Sequence, residues 1–525
     1  MPTNRRLSLA LAPLDERPVN TRYPQMLGAI AGVDVLLPAE EVLGSGRTPA
    51  DVDAIGKWLY DAAHKPGLEA VDGVIASAEY LTFGNLVNSR VSHEAVTDVL
   101  PRLKVLENIS ALDKPVYAFG LITRVSNADG NVEEPFYWKE YGTRFYQYSG
   151  LLHKREERAL DAADHESLAR LERELPANLI GDWLQRRLRN HTVNLALIEL
   201  LARERLSFLL LTSDDTSPWG TPSREKKWLE SWLSLMGPTV QGRLLVHPGA
   251  DEVGSALVTR MICQHRGVRP TVYPLYAVPG GEKVIAPYED RPVKLTVEGQ
   301  IKACGCLLTD SPDDADIILG VLPPSPVRTE FRQDFTATER RDRQGHFIAF
   351  FTQLGGWQRT GRTVALADVS YPNGADPIAM EILLSLSSPL APGKLAAYGA
   401  WNTAGNTLGT VVAQAVCSRF IEDQTDRQLA QHIFLTHRFL EDYGYQALVR
   451  AEVRKLNQSR FGKSDPDPQN SSEIAQTCQN IEEGLNRVLT EELQRFGVGT
   501  GLRIALGSVR LPWRRTFEVD FDLIP

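Results

Sequence analysis

The sequence predicts an α/β protein: an N-terminal parallel α/β lobe, barrel-like or open, over residues 1–265; a Rossmann-like doubly wound lobe over 266–420; and a small helical unit with terminal β-strands over 421–525. Three observations lead there. Short apolar runs without polar alternation recur along the chain, as strands covered on both faces require. Helix-length stretches separate them at βαβ spacing. Most runs end in turns rich in Asp, Glu, Asn and Gly, where open α/β sheets and barrels keep their ligands.

Taken in order, Leu7 to Leu14 gives the first strand, and Asp15-Glu16-Arg17-Pro18-Val19-Asn20 is its outgoing turn. A helix around Tyr23 to Ala31 and a strand at Val33 to Pro38 follow. Val71 to Ala76 leads into Glu79, Tyr80, Asn85 and Arg90, and Val116 to Ile122 leads into Arg124. The stretch from Glu133 to Tyr148 is dense in aromatics and reads first as core packing, although such platforms also suit sugar rings. Helices of mixed charge fill Lys154 to Arg205. The strand Phe208 to Leu211 then ends abruptly in Thr212-Ser213-Asp214-Asp215-Thr216. A single Asp there would be a helix cap, but one cap needs one carboxylate. Leu244 to Val246 runs into His247-Pro248-Gly249-Ala250-Asp251-Glu252, in which Asp251 also reads as the N-cap of a helix starting near Val253. This gives six strands where a closed (β/α)₈ barrel has eight, so closure stays open.

From Gly267 the pattern restarts. Strands at Thr271 to Ala277, Ala315 to Val321, Val364 to Val369 and Leu395 to Ala400, with a short one at Cys306 to Leu308, alternate with helices near 292–303, 337–355, 379–387 and 407–420. Two turns stand out, one holding Asn373 and Asp376, the other Trp401, Asn402 and Asn406. The second, opening a helix, is able to cradle an anion on backbone amides. No GxGxxG or P-loop sequence is present, so no nucleotide is expected. After Ile421 the chain is helical and charged, ending in strands at Leu502 to Leu506 and Phe517 to Leu523.

Composition narrows the function classes. At 525 residues, 43% hydrophobic and 23% charged, the chain reads as globular rather than disordered. A net charge of −9 is mild for this size and points to no nucleic-acid or membrane partner. The five scattered cysteines give no zinc pattern and read as reduced thiols in a cytoplasm. Asn4-Arg5-Arg6 before an apolar run imitates a twin-arginine export signal, but the run stops at Asp15-Glu16-Arg17 with no cleavage site.

PLDERPVN at Pro13 to Asn20, TSDDT at Thr212 to Thr216, HPGADE at His247 to Glu252, YPNGAD at Tyr371 to Asp376, WNTAGNTLG at Trp401 to Gly409 and WRRTFE at Trp513 to Glu518 together resemble, nearly end to end, a bacterial family catalogued as a domain of unknown function, number 4127. The resemblance implies one shared site made of these turns but names no chemistry.

The residues have to supply it. There is no serine-nucleophile elbow and no cysteine beside a strand-end histidine. Strand-end carboxylates instead suit a glycoside hydrolase, with one carboxyl as acid and another as base or orienting group. Adjacent aspartates also match the layout of substrate-assisted cleavage of 2-acetamido sugars, Asp215 donating the proton and Asp214 orienting. Asp214, Asp215, Asp251 and Glu252 are the catalytic candidates. Asp15, Glu16, Arg17, Asn20, Glu79, Asn85, Arg90, Arg124, His247, Asn373, Asp376, Trp401, Asn402 and Asn406 are the substrate-binding ones. The expected partner is a small carbohydrate, no cofactor or metal is required, and a homo-oligomer is allowed. A divalent-metal hydrolase or lyase built around His247 and a two-lobed sugar-binding protein are the alternatives.

Overall fold

Each apolar run up to Ala400 holds a strand in the computed structural model, which describes residues 6–65, 70–324, 335–422 and 424–525, whereas of the expected strand Phe517 to Leu523 only Leu523 is in one, the pair Leu523–Ile524. Asn4 and Arg5 of the export-like motif lie outside the described residues. The chain divides into two compact units. The first takes the chain up to Glu16, then Val33–Val258 and Tyr288–Arg291; the second takes Arg17–Gly32, Thr259–Pro287 and Pro292–Pro525. Where a boundary is expected at 265, the division falls at 258, and residues 421–525 belong to the second unit.

In the first unit, β1 (Ser8–Ala12), β2 (Asp34–Leu36), β3 (Gly73–Ser77), β4 (Val116–Ile122), β5 (Phe208–Ser213) and β6 (Leu244–Pro248) form one sheet in the order β2-β1-β3-β4-β5-β6. Every pairing is parallel. Of the barrel-like and open alternatives the sheet is open, because β2 and β6 each have a neighbour on one side only. The winding reverses between β1 and β3, and the outgoing turns of all strands share one edge.

One face of the sheet presents Ala10, Ala12, Val74, Ala76, Ala118, Leu209 and Leu211 to Ile55, Leu59, Leu106, Ile109, Val193 and Leu197, all buried. These come from helices Val52–His64, Lys104–Ser110 and Ala177–Ala202. Truncating one such leucine to alanine removes about 2–5 kcal/mol. The aromatic stretch is mostly core. Trp138, Phe145 and Tyr148 on helix Trp138–Glu156 join Leu168, Leu171 and Trp183 in a second cluster, with Trp138 and Phe145 stacked at 5.0 Å.

In the second unit, β7 (Thr271–Tyr276), β8 (Leu307–Leu308), β9 (Ile317–Leu322), β10 (Thr363–Asp368) and β11 (Ala397–Gly399) form a parallel sheet in the order β11-β10-β9-β7-β8. Read from β8, this winding repeats that of the first sheet, with its reversal between β7 and β9. Residues beyond 421 share its core: Phe439 stacks on Tyr398 at 3.9 Å, and Ile481, Leu485, Val519 and Phe521 pack with Phe347, Phe351 and Leu366. The antiparallel pair β12 (Arg503–Ile504) and β13 (Leu523–Ile524) closes the chain. Helix Arg22–Ala31 packs on helices Ala404–Ser418 and Thr425–Arg438 of this unit. Among the described residues no helix is long and apolar enough to cross a membrane, and none of the five cysteines is in a disulfide.

Candidate functional site

Asp15, Glu79, Arg124, Asp214, Asp215 and His247 come from the C-terminal ends of β1, β3, β4, β5 and β6, on one edge of the first sheet. Beyond β5 the Asp214 amide donates to Ile122 O (3.2 Å), which ties the turn to the neighbouring strand. Asp215 then adopts φ +35°, a left-handed conformation that a residue with a Cβ keeps only under constraint. The next helix, Thr221–Leu235, starts from Gly220 with no side-chain cap, so neither aspartate is a helix cap.

Two arginines hold the doublet. Arg90 donates to Asp214 (2.6 Å) and Glu133 (3.0 Å) and lies 3.6 Å from Glu134. Arg124 donates to Asp215 (2.8 Å), Glu134 (2.8 Å) and Glu133 (3.0 Å). Four carboxylates thus share two guanidiniums, a charge excess that burial makes expensive. A third arginine, the buried Arg187, pairs with both Glu225 oxygens at 2.7 Å and donates to Thr123 O, bracing the same loop.

Proton affinities along the rim diverge. Burial, and then the neighbouring Asp214 charge, push the Asp215 carboxyl up to about 6 despite Arg124. Burial raises Glu79 to about 7, against the lowering pull of the Leu121 amide (2.7 Å) and the Ser77 hydroxyl (3.2 Å) that donate to it. Glu16 is raised by burial and by Asp15, and accepts from the Gly46 amide (2.9 Å). Burial drives His247 down to about 4, so it is neutral near pH 7. Donation from Nδ1 to Pro248 O (2.8 Å) then leaves its buried Nε2 with the lone pair and, among the described residues, without a partner. On the adjoining strand, the Thr212 and Ser213 hydroxyls are also buried and unpartnered among the described residues.

Three further candidates, Asn85, Asp251 and Glu252, are buried. Asn85 caps helix Leu86–Val91 through the Asn88 amide (2.8 Å) and donates to Gly46 O and Thr48 O. Asp251 is buried, and Glu252, fully buried, accepts from the Ala250 amide (2.9 Å). Gly249 has φ +145°, and a Cβ there would collide with the Glu252 carboxylate.

The remaining candidates lie in the second unit. Arg17 is 3.7 Å from Glu518 and stacks on Trp513, and Asn20 closes a turn on Arg17 O. Asn373 and Asn402 both take positive φ (+57° and +62°), and their turns are joined by Asn373 N to Asn402 O (3.3 Å) and Gly374 N to Ala400 O (3.0 Å). Asp376 caps helix Pro377–Leu383 and pairs with Arg343. Trp401 is buried with Nε1 unpartnered among the described residues, and the Asn406 amide reaches the Thr403 cap (3.5 Å).

Sequence reasoning missed Glu133 and Glu134 as site residues, although an acidic doublet in the loop after a strand was the same signal as Asp214-Asp215. It also missed Asp368, which burial and then Asp376 raise to about 7. Among the described residues no three His, Cys, Asp or Glu side chains gather to hold a metal ion.

In comparison with known proteins, one family model, described as a protein of unknown function (DUF4127), matches residues 9–522. No curated protein matches the chain.

Proposed function

We propose, for a chain that belongs to the DUF4127 family along nearly its whole length, that it hydrolyses the glycosidic bond of a small sugar or glycoside, a 2-acetamido sugar in the most specific form of the reading. One observation carries this. Two consecutive aspartates on one turn differ in circumstance: Asp214 is held by Arg90 at 2.6 Å, while Asp215, strained and 28% exposed through its side chain, is pushed up to about 6 although Arg124 donates to it at 2.8 Å. A general acid works best with a pKa near the operating pH, and its partner must stay charged. In this reading Asp215 protonates the leaving oxygen and Asp214 orients the reacting group.

A panel of aryl glycosides, including 2-acetamido sugars, with and without EDTA, tests it. Asp215→Asn should lower kcat by about 10²-fold or more for poor leaving groups and spare activated aryl groups. Asp214→Asn should slow both alike. Full activity in both variants would refute the assignment. A second reading, a divalent-metal hydrolase or lyase, has the unpartnered Nε2 of neutral His247 in its favour, the state in which imidazole binds metals. Activity abolished by EDTA and restored by Mn²⁺ would select it.

A further inference from the structure

A helix that covers a sheet needs one apolar stripe, turned inward. Two helices of the first unit carry a second one. Helix Ala177–Ala202 buries Val193, Leu197 and Leu201 in the cluster under the sheet, and helix Thr221–Leu235 buries Leu229 there. On their outward faces, three or four residues apart, Leu184 and Leu188 of the first helix and Trp228, Trp232 and Leu235 of the second stand 41%, 64%, 36%, 53% and 78% exposed. The helices lie side by side and run the same way, because Arg187 pairs with Glu225 and, one turn further along both, the His191 ring meets the Trp228 ring at 5.7 Å. The outward residues therefore form one oblique strip, with the leucines of the first helix at one end and Trp232 and Leu235 at the other.

Single exposed apolar side chains are ordinary, whereas a contiguous strip marks a contact surface. The charges beside it are already matched within the chain: Arg224 lies over the Trp228 ring and pairs with Glu156, and Lys227 pairs with Glu157. Burial holds His191, in the middle, below the ordinary histidine range. Such a surface fits an apolar, uncharged partner, and the chain itself supplies one. Beside Leu188 a groove of about 370 Å³ opens between helix Ala177–Ala202 and residues Ser92 to Val96, with Gln185 and Thr192 on its wall. The strip thus has a hole at its leucine end and a knob, Trp232, at the other, and a two-fold axis brings each onto its complement.

The area points the same way. At roughly 200 Å² per large side chain, the five residues leave on the order of 500 Å² of apolar surface in water. Two copies cover about 1,000 Å², and because homodimer interfaces are about 65% apolar this implies roughly 1,500 Å² in all, the size of a stable pair.

We propose that the chain forms a two-fold symmetric homodimer through this strip, Trp232 and Leu235 of one copy seated on Leu184, Leu188 and the groove of the other, and the reverse. The strip holds no residue of the carboxylate rim, so the dimer stands independently of the glycosidase reading.

Sedimentation velocity on the full chain tests the proposal. The wild-type chain should sediment as a dimer at roughly 10 μM. Trp232→Glu and Leu188→Lys, at exposed positions and checked for fold by circular dichroism, should each raise the dissociation constant roughly hundredfold, since each loss occurs twice per interface. Mixed in equal amounts the two variants should pair again, because the mixed dimer sets the introduced ammonium against the introduced carboxylate at one junction and keeps the wild-type contact at the other. Leu506→Glu, exposed but outside the strip, should leave the dimer intact. If Trp232→Glu folds poorly, Leu235→Glu takes its place in both measurements. A wild-type chain that stays monomeric at about 100 μM, an unchanged Trp232→Glu or Leu188→Lys variant, a mixture no tighter than its components, or dissociation of Leu506→Glu would each overturn it.

Discussion

Asp215→Asn should make the protein more stable at neutral pH while it makes the proposed enzyme slower. The Asp215 carboxyl is pushed up to about 6 from an ordinary 3.8. Between those values the unfolded chain releases its proton and the folded chain keeps it, so folding stability falls as pH rises from about 4 to about 6 and is level above. At about 1.4 kcal/mol per pH unit, holding this carboxylate charged costs the fold up to about 3 kcal/mol at pH 7. The side chain is 28% exposed, and once neutral it no longer forms an ion pair with Arg124, which reduces the recoverable part to about 1–2 kcal/mol. The melting temperature should therefore rise by about 1–3 °C at pH 7.5. The gain should shrink at pH 4.5 and vanish below about 3.8, where Asp215 is protonated in both states. Calorimetric scans of both proteins across pH 4 to 8 supply the measurement. A lower melting temperature at pH 7.5, or a gain that does not change with pH, would refute the claim that burial and Asp214 strain this carboxylate.

Arg90→Met should destabilise by about 3–5 kcal/mol, because it leaves Asp214 buried without its guanidinium; denaturant melts will read the loss, and adding Asp214→Asn should restore part of it. Gly249→Ala should cost more than about 1 kcal/mol, since it brings both a positive φ and a collision with Glu252; Glu252→Gln, equal in size, should not rescue it in the same melts.

The sheets were legible because a strand buried on both faces leaves an unbroken apolar run; β4 begins and ends where its run does, at Val116 and Ile122. The open edge could not be read, since closure depends on pairings between distant strands. Helices Ala78–Phe83 and Leu86–Val91 also escaped: both are buried nearly all round, so no amphipathic stripe marks them. The π-helical turns Phe439–Val449 and Val488–Leu493 have no local signature, being set by what they pack against. Within the site, residue types placed Asp214, Asp215 and Arg124 at strand ends. They could not separate a reactive carboxylate from a helix cap, as Asp376 and Asn85 illustrate, because both jobs favour the same residues after a strand. Arg17 went to the other unit for a reason absent from its own turn: Glu518 and Trp513 come from the far end of the chain.

The ribosome delivers this polypeptide in an order that neither unit follows. Helix Arg22–Ala31 is made nearly four hundred residues before helices Ala404–Ser418 and Thr425–Arg438, on which it packs. The first unit in turn waits past Val258 for Tyr288–Arg291, whose Tyr288 carbonyl receives the Thr216 amide and whose Asp290 pairs with Lys226. No single cut of the chain therefore releases a whole unit. Nascent fragments must hold apolar faces open until distant segments arrive, a condition that invites aggregation and calls for chaperone protection. Expression of either half alone should yield insoluble protein, and circular permutation between the units should be tolerated poorly.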